Sequence, residues 1–221
     1  MRKYLEILKK CPLFLKIEED DILRVLHCLD AKVDFFDKKY TVFAEGSPAK
    51  YIGVLLFGSA QTVRVDYYGN RSILSTIRPG NIFAEAFACS ECESMPVSVI
   101  ANEPSEILLL NCSHILQTCS NSCGFHQRLI FNLMKELADK NLYFHQKIDI
   151  TSKRTTRDKL LTYLLSVAKQ EKSHRFTIPF NRQELADYLE VDRSGLSVEI
   201  GNLRREGILE SYKNEFELKR L

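Results

Sequence analysis

Between residues 125 and 149 the chain runs without a proline or a glycine. Ile130, Leu133, Leu137, Lys140, Phe144 and Ile148 follow one another there at three- and four-residue steps, and Leu129 and Leu142 broaden the apolar face. A run of this period and length predicts one long amphipathic helix. Such a stripe suits packing on a core. On a long helix with polar flanks it also suits the seam of a coiled-coil dimer, and a homodimer through this helix is the expectation.

The segments on either side differ in period. The first part of the chain reads as two short helices. Tyr4, Leu5 and Leu8 share a face before Pro12 breaks the pattern. Glu18, Glu19 and Asp20 sit where a helix N-terminus favours negative charge, ahead of Ile22, Leu23, Val25 and Leu26. From about Ala31 to Leu110, short apolar runs alternate with Gly, Pro and Asn. Val63 and Val65 alternate with Thr62, Arg64 and Asp66, a half-buried strand pattern, and Tyr68-Gly69-Asn70 looks like a hairpin tip. Glycines at 46, 58, 69 and 80 suit short strands joined by tight turns, as in an antiparallel jelly roll. A helical period returns near Ser113, and Gly124 is expected to separate a short helix from the long one.

After the long helix, residues 151–156 form a short polar hinge. Leu160, Leu161, Leu164, Leu165 and Ala168 then mark the apolar side of another helix, and 175–179 a short strand. Asn181 and Glu184 have the spacing of a capping box. Leu185, Ala186 and Leu189 face inward on the helix it opens. Glu190 and Val191 make a turn, and Asp192 is a good N-cap for a second helix with Leu196, Ile200 and Leu203 inward. Gly207 is placed to end it. Ile208 to Tyr212, a Lys213-Asn214 turn and Phe216 to Leu218 read as a hairpin wing.

Helix, turn, helix and wing in that order suit a DNA-binding unit, with the second helix in the major groove. Its outward positions include Arg193, Ser194, Ser197 and Val198. An arginine there pairs in bidentate fashion with guanine, and serine hydroxyls contact bases or phosphates. Arg182, at the start of the first helix, and Arg204 are placed for the backbone, and Gln183 is a further DNA-binding candidate. The charge distribution agrees weakly: residues 151–221 carry 14 Lys+Arg against 11 Asp+Glu, and residues 1–150 carry 17 against 18.

Composition narrows the alternatives. The hydrophobic fraction of 45% and charged fraction of 27% are those of a soluble globular protein. No apolar run reaches the ~18 residues of a membrane span. The first ten residues lack the apolar core of a signal peptide, so a cytoplasmic location is expected. A jelly-roll metalloenzyme needs two or three histidines and a carboxylate on neighbouring strands. The strand region 31–110 holds no histidine, so an enzyme is not expected. Seven cysteines, an odd number, argue against a disulfide framework. Cys89 and Cys92, and Cys112, Cys119 and Cys123, invite an iron–sulfur or redox reading. The N-terminal part holds only Cys11 and Cys28, so no metal or cofactor is expected. A redox-responsive regulator sensing through cysteines or a cluster is the alternative.

The residues 182–197, from Arg182-Gln183-Glu184-Leu185-Ala186 to Asp192-Arg193-Ser194-Gly195-Leu196-Ser197, resemble the helix-turn-helix of the CRP/FNR family of bacterial regulators. Phe57-Gly58-Ser59-Ala60 resembles that family's strand–glycine turn. Pro79-Gly80-Asn81-Ile82-Phe83-Ala84-Glu85 resembles the opening of its effector cassette. The resemblance covers essentially the whole chain. It implies an α+β architecture of three parts: an N-terminal antiparallel β-roll of cyclic-nucleotide-binding type at 1–124, a dimerisation helix at 125–150 and a winged helix-turn-helix at 151–221. It also implies a homodimer on a palindromic operator in double-stranded DNA, a small-molecule effector in the roll, and RNA polymerase as a further partner.

Two departures from the family pattern stand out. Cyclic-AMP-binding members hold the cyclic phosphate with an Arg-Ser pair near the cassette's end. Counted from Glu85, those positions here are Met95 and Pro96. Neither side chain pairs with a phosphate, and proline lacks the backbone donor. A pocket lined by Phe83, Glu85, Ala86, Met95 and Pro96 from the roll, and by Lys140, Asn141 and Phe144 from the helix, is expected to take something other than a cyclic nucleotide. In the recognition helix, Arg193 aligns with a base-reading arginine. Ser194 and Val198 replace the glutamate and second arginine of the cyclic-AMP-type reader, so the operator differs as well.

Overall fold

The computed structural model of the chain describes residues 1–65, 67–68, 71–90, 92–116 and 124–219. Asp66 and the Gly69-Asn70 portion of the expected hairpin tip, and Cys119 and Cys123, lie outside the described residues. Two compact units follow one another, residues 1–139 and 140–221.

The first unit opens with α1 (Leu5–Leu8) and α2 (Glu19–Cys28), separated by a 3-10 turn at Pro12–Phe14. Glu19, Asp20 and Asp21 occupy the first turn of α2, where free amides favour negative charge. There follow β1 (Lys32–Phe36), β2 (Thr41–Phe43), β3 (Tyr51–Phe57), β4 (Ala60–Val65), β5 (Arg71–Ile77) and β6 (Ile82–Phe83). Then come α3 (Glu85–Cys89), β7 (Ser98–Ala101), β8 (Ser105–Asn111) and α4 (Cys112–Leu116). The strands form two four-stranded sheets, β1-β8-β3-β6 and β2-β7-β4-β5, with antiparallel pairing throughout. This is the antiparallel roll expected from the sequence.

β3 shows why the roll holds together. It is buried on both faces: Ile52, Val54 and Leu56 join the core beneath the helices, while Leu55 joins Ala60, Ile77, Phe83, Val99 and Ile107 inside the roll. Alternation along the strand sends successive side chains to opposite cores. Gly53 lies under the Phe83 ring, whose nearest atom would stand 2.1 Å from an added Cβ. Gly58, at φ +88°, turns β3 into β4 and has the Ser105 hydroxyl and Pro104 carbonyl pressed against it, so no other residue fits.

One strand expectation needs correction. Val63 is buried, but Val65 is 49% exposed rather than sharing its inner face. The register against β5 shifts between Thr62 and Val63, and pairing with β7 stops at Val63. Beyond that point β4 pairs with β5 alone, and the hairpin runs past the body of the sheet.

The long helix, α5, spans Gly124–Thr151. Leu129 and Leu133 are buried in the first unit's core with the N-terminal helices and the outer face of β3. This corrects the placement of Leu133 at a dimer seam: it packs within its own chain. Asn132, also buried, donates through Nδ2 to the carbonyls of Leu13 (2.9 Å) and Leu15 (2.8 Å), fastening the N-terminal segment to α5. Phe131 and Met134, by contrast, are more than half exposed.

The second unit contains the end of α5, with Ile150 buried, then α6 (Thr156–Glu171), β9 (Arg175–Thr177), α7 (Arg182–Leu189), α8 (Arg193–Arg205), β10 (Leu209–Tyr212) and β11 (Glu215–Leu218). The Thr155 hydroxyl caps α6 by accepting from the Asp158 amide. Leu160, Leu164 and Ala168 are buried as expected, but Leu165 is 39% exposed, at the margin of the apolar stripe. The three strands pair antiparallel in the order β10-β11-β9.

Candidate nucleic-acid interface

Local hydrogen bonds set the geometry of α7 and α8. Asn181 Oδ1 accepts from the amides of Gln183 (2.9 Å) and Glu184 (3.0 Å), and Glu184 Oε2 accepts from the Asn181 amide (2.7 Å), completing the capping box. Glu190, at φ +54°, ends α7. Asp192 then caps α8, its carboxylate accepting from the Gly195 amide (2.8 Å) and the Ser194 hydroxyl. Those two donors, the hydroxyl foremost, hold Asp192 below the usual carboxylate range. Glu206 forms the C-cap, and Gly207 takes φ +71° just past it.

Leu196, Ile200 and Leu203 are buried against Leu185, Ala186 and Leu189 of α7 and Leu160 and Leu164 of α6. Arg157 of α6 ties the same helix from its flank, donating to Glu206 (2.9 Å) and Glu199 (3.3 Å). With one face anchored, the other is open. Arg193, Ser194, Ser197 and Val198 are all exposed, Val198 by 62%. Both serine hydroxyls already donate within the helix, Ser194 to Asp192 and Ser197 to the Arg193 carbonyl at 3.0 Å. In this arrangement their oxygens face solvent as acceptors, suited to base amino groups rather than phosphates.

The cations expected at the DNA backbone are engaged locally. Arg182 is half-buried and lowered in pKa by that burial. It donates to the Lys213 carbonyl (3.3 Å) and lies 5.7 Å from the Phe216 ring centre, bracing the wing. Arg204 Nε stands 3.5 Å from Glu210 on β10. Gln183 is exposed and donates to Asp187 (2.8 Å). Two further cations, not singled out from the sequence, are also exposed in this unit. Lys213, exposed and at φ +53°, occupies the wing tip beside Tyr212. Arg205, also exposed, follows Ser194, Val198 and Gly201 at helical steps and donates to the Asn202 side chain. The signal for Arg205 was present in that spacing.

At the other end of this unit, Lys147 of α5 donates to the Tyr188 carbonyl and lies 3.8 Å from Glu190, its ammonium 4.1 Å from the Tyr188 ring centre. The long helix is thereby tied to the turn between α7 and α8.

The residues expected at an effector site divide between the two units. In the first, Phe83 fills the roll interior, 5.7 Å from Phe43 ring to ring, and Glu85 is buried in the first turn of α3. Met95 is buried. Its amide donates to the Ser47 carbonyl and its own carbonyl accepts from Gly46, each at 2.8 Å. Ala86 and Pro96 are exposed. In the second unit, Asn141 and Phe144 are exposed and Lys140 is half-buried. Among the described residues, no three His, Cys, Asp or Glu side chains are grouped to hold a metal ion, and no helix is long and apolar enough to cross a membrane.

Two family models match the chain: the cyclic nucleotide-binding domain over residues 33–122 and the Crp-like helix-turn-helix domain over residues 158–221. No curated protein sequence matches it. Solved structures share the fold along nearly the whole length. The catabolite activator protein of Thermus thermophilus is 21% identical with a TM-score of 0.56, covering 94% of this chain and 93% of its own. For DNR of Pseudomonas aeruginosa the figures are 22%, 0.51, 99% and 94%. For CLP of Xanthomonas campestris, described as a c-di-GMP-responsive global regulator, they are 16%, 0.56, 92% and 100%. A β-roll and a Crp-like helix-turn-helix on one chain define a class of DNA-binding transcription regulators rather than enzymes. The chain belongs to the CRP/FNR family.

Proposed function

We propose that the chain acts as a homodimer on a palindromic operator, with α8 in the major groove. Arg193 reads a guanine, Ser194 and Ser197 accept from base amino groups, and Val198 meets a thymine methyl. The observation that carries this reading is the division of α8: three aliphatic side chains buried on one face, and an outward face free of bulk and ready to approach base edges. Lys213, at the wing tip, contacts the backbone, and Gln183 and Arg205 do so by releasing Asp187 and Asn202. Arg182 and Arg204 do so by exchanging the Lys213 carbonyl and Glu210 for phosphates. Residues 1–124 serve as the sensor, 125–150 as the dimer helix and 151–221 as the DNA-binding domain, with RNA polymerase as the partner at the promoter.

The dimer contact lies on the exposed side of α5, through Phe131, Met134 and Leu142, rather than through Leu133. The effector face of the roll comprises Phe83, Glu85, Ala86, Met95 and Pro96; Lys140, Asn141 and Phe144 are separate effector candidates on α5. A cyclic phosphate does not fit the roll side. Met95 is aliphatic and its amide is already bonded to Ser47, and Pro96 has no amide to give. An ion taken out of water without partners costs several kcal/mol.

Footprinting on genomic DNA followed by salt-titrated binding tests the reading. Half-sites are expected about one helical turn apart. Arg193→Ala should cost about 1–3 kcal/mol on the specific site and relax one position per half-site. Unchanged operator affinity would place α8 elsewhere.

A further inference from the structure

Cys89 ends α3 and Cys112 begins α4 directly after β8. They are brought together by sheet pairing: β3 pairs on one side with β8, which leads into Cys112, and on the other with β6, which leads into α3. The two Sγ atoms stand 3.2 Å apart. A disulfide needs about 2.0–2.1 Å, so about 1 Å of approach separates the thiols from a bond. Cys112 is the fixed partner. It is 3% exposed, and its amide donates to the Lys50 carbonyl (3.1 Å). The next residue, Ser113, donates to Asn111 through both its amide (3.0 Å) and its hydroxyl (2.8 Å). Cys89, partly buried at the end of a five-residue helix, is the partner with room to move.

We propose that Cys89 and Cys112 form a reversible intramolecular dithiol–disulfide site, oxidised by a hydroperoxide, that clamps α3 against α4. The chemistry suits the pair. Contact with the Cys89 sulfur holds Cys112 below the ordinary thiol range, while the same contact and burial push Cys89 up, so the first proton leaves the pair more easily than the second. The Cys112 thiolate attacks one peroxide oxygen, breaking the O–O bond to give a sulfenic acid and a hydroxide that takes up a proton. The Cys89 sulfur then displaces the sulfenic hydroxyl, forming the S–S bond and releasing its proton with that hydroxyl as water. Two thiols and one hydrogen peroxide thus give one disulfide and two waters. Because α3 carries Glu85 and Ala86, oxidation stiffens one wall of the proposed effector face. The site itself stands on the sulfur geometry and is independent of how α8 meets DNA.

The full-length protein, reduced and then treated with one equivalent of hydrogen peroxide, tests this by thiol titration under denaturing conditions and non-reducing peptide mapping. The expected result is loss of two titratable thiols per chain, a Cys89–Cys112 link within one chain, and full recovery with dithiothreitol. Amide exchange over Glu85–Cys89 should slow in the oxidised form. Cys92→Ser should form the same link, whereas Cys89→Ser should stop at a Cys112 sulfenic acid captured by dimedone. A link in any other pair, a link between chains, sulfinic acid without a disulfide, or unchanged exchange across α3 would overturn the proposal. The wild-type map decides the matter even if a serine variant folds poorly, and operator binding by the reduced protein tests the DNA-binding reading separately.

Discussion

α5 and α8 are both amphipathic helices with one face fixed in a core, and they differ in what they leave outside. On α8 the open positions are Arg193, Ser194, Ser197 and Val198, with the bare backbone of Gly201 on the same side. On α5 they include Phe131 at 52% exposure, Met134 at 58% and Leu142 at 67%. A small, polar and cationic outer face matches the charged backbone and hydrogen-bonding edges of DNA. An apolar outer face on a long helix gains most from burial against another apolar face, and a second copy of the same helix supplies one. The outer face, more than the inner, indicates the kind of partner.

The largest effects should come from the inner faces. Leu133→Ala and Leu196→Ala each remove a buried side chain and should cost about 2–5 kcal/mol. The expectation for denaturant unfolding is that the first weakens the roll unit and the second the winged-helix unit. A loss below about 1 kcal/mol at Leu133 would return that residue to the outer face. Next comes the outer face of α5. Met134→Glu, one residue from Leu133, should leave the fold intact while weakening dimerisation by about 1.5–3 kcal/mol, the value of a buried methionine side chain. Sedimentation equilibrium reads the shift towards monomer, and an unchanged dimer would remove this face from the interface. The smallest effect is on α8. Apart from its chain neighbours and the helix's own backbone, nothing lies within 4 Å of a Cβ added at Gly201. Gly201→Ala should therefore raise stability by about 0.5–1 kcal/mol, read as a higher Tm. If operator affinity falls at the same time, the bare outer face is needed for close approach to DNA. If it does not, Gly201 lies outside the contact.

By itself the sequence determined the features whose causes lie within a few residues. The capping box of Asn181 and Glu184, the Asp192 cap, the inward row of α8 and the glycine after it are set by hydrogen bonds and helical period that span at most one or two turns. So too is the change from strand to helix period on entering and leaving the roll. Tertiary structure decided what depends on residues far apart in the chain. The apolar stripe of α5 carried two faces, and only the packing of Leu129 and Leu133 in the core beneath the N-terminal helices separated the inner from the outer. The role of Asn132 depends on the Leu13 and Leu15 carbonyls, far from it in the chain. Arg182 and Arg204 read from the sequence as phosphate contacts, and only the folded wing engages them, through the Lys213 carbonyl and Glu210. Spacing along the chain groups Cys89 with Cys92, whereas β3, by pairing with both β6 and β8, sets Cys89 against Cys112. Capping and periodicity act through bonds between near neighbours, so they are written locally. Burial and long-range contact depend on which surfaces the sheets bring together, and that is fixed only when the whole unit has folded.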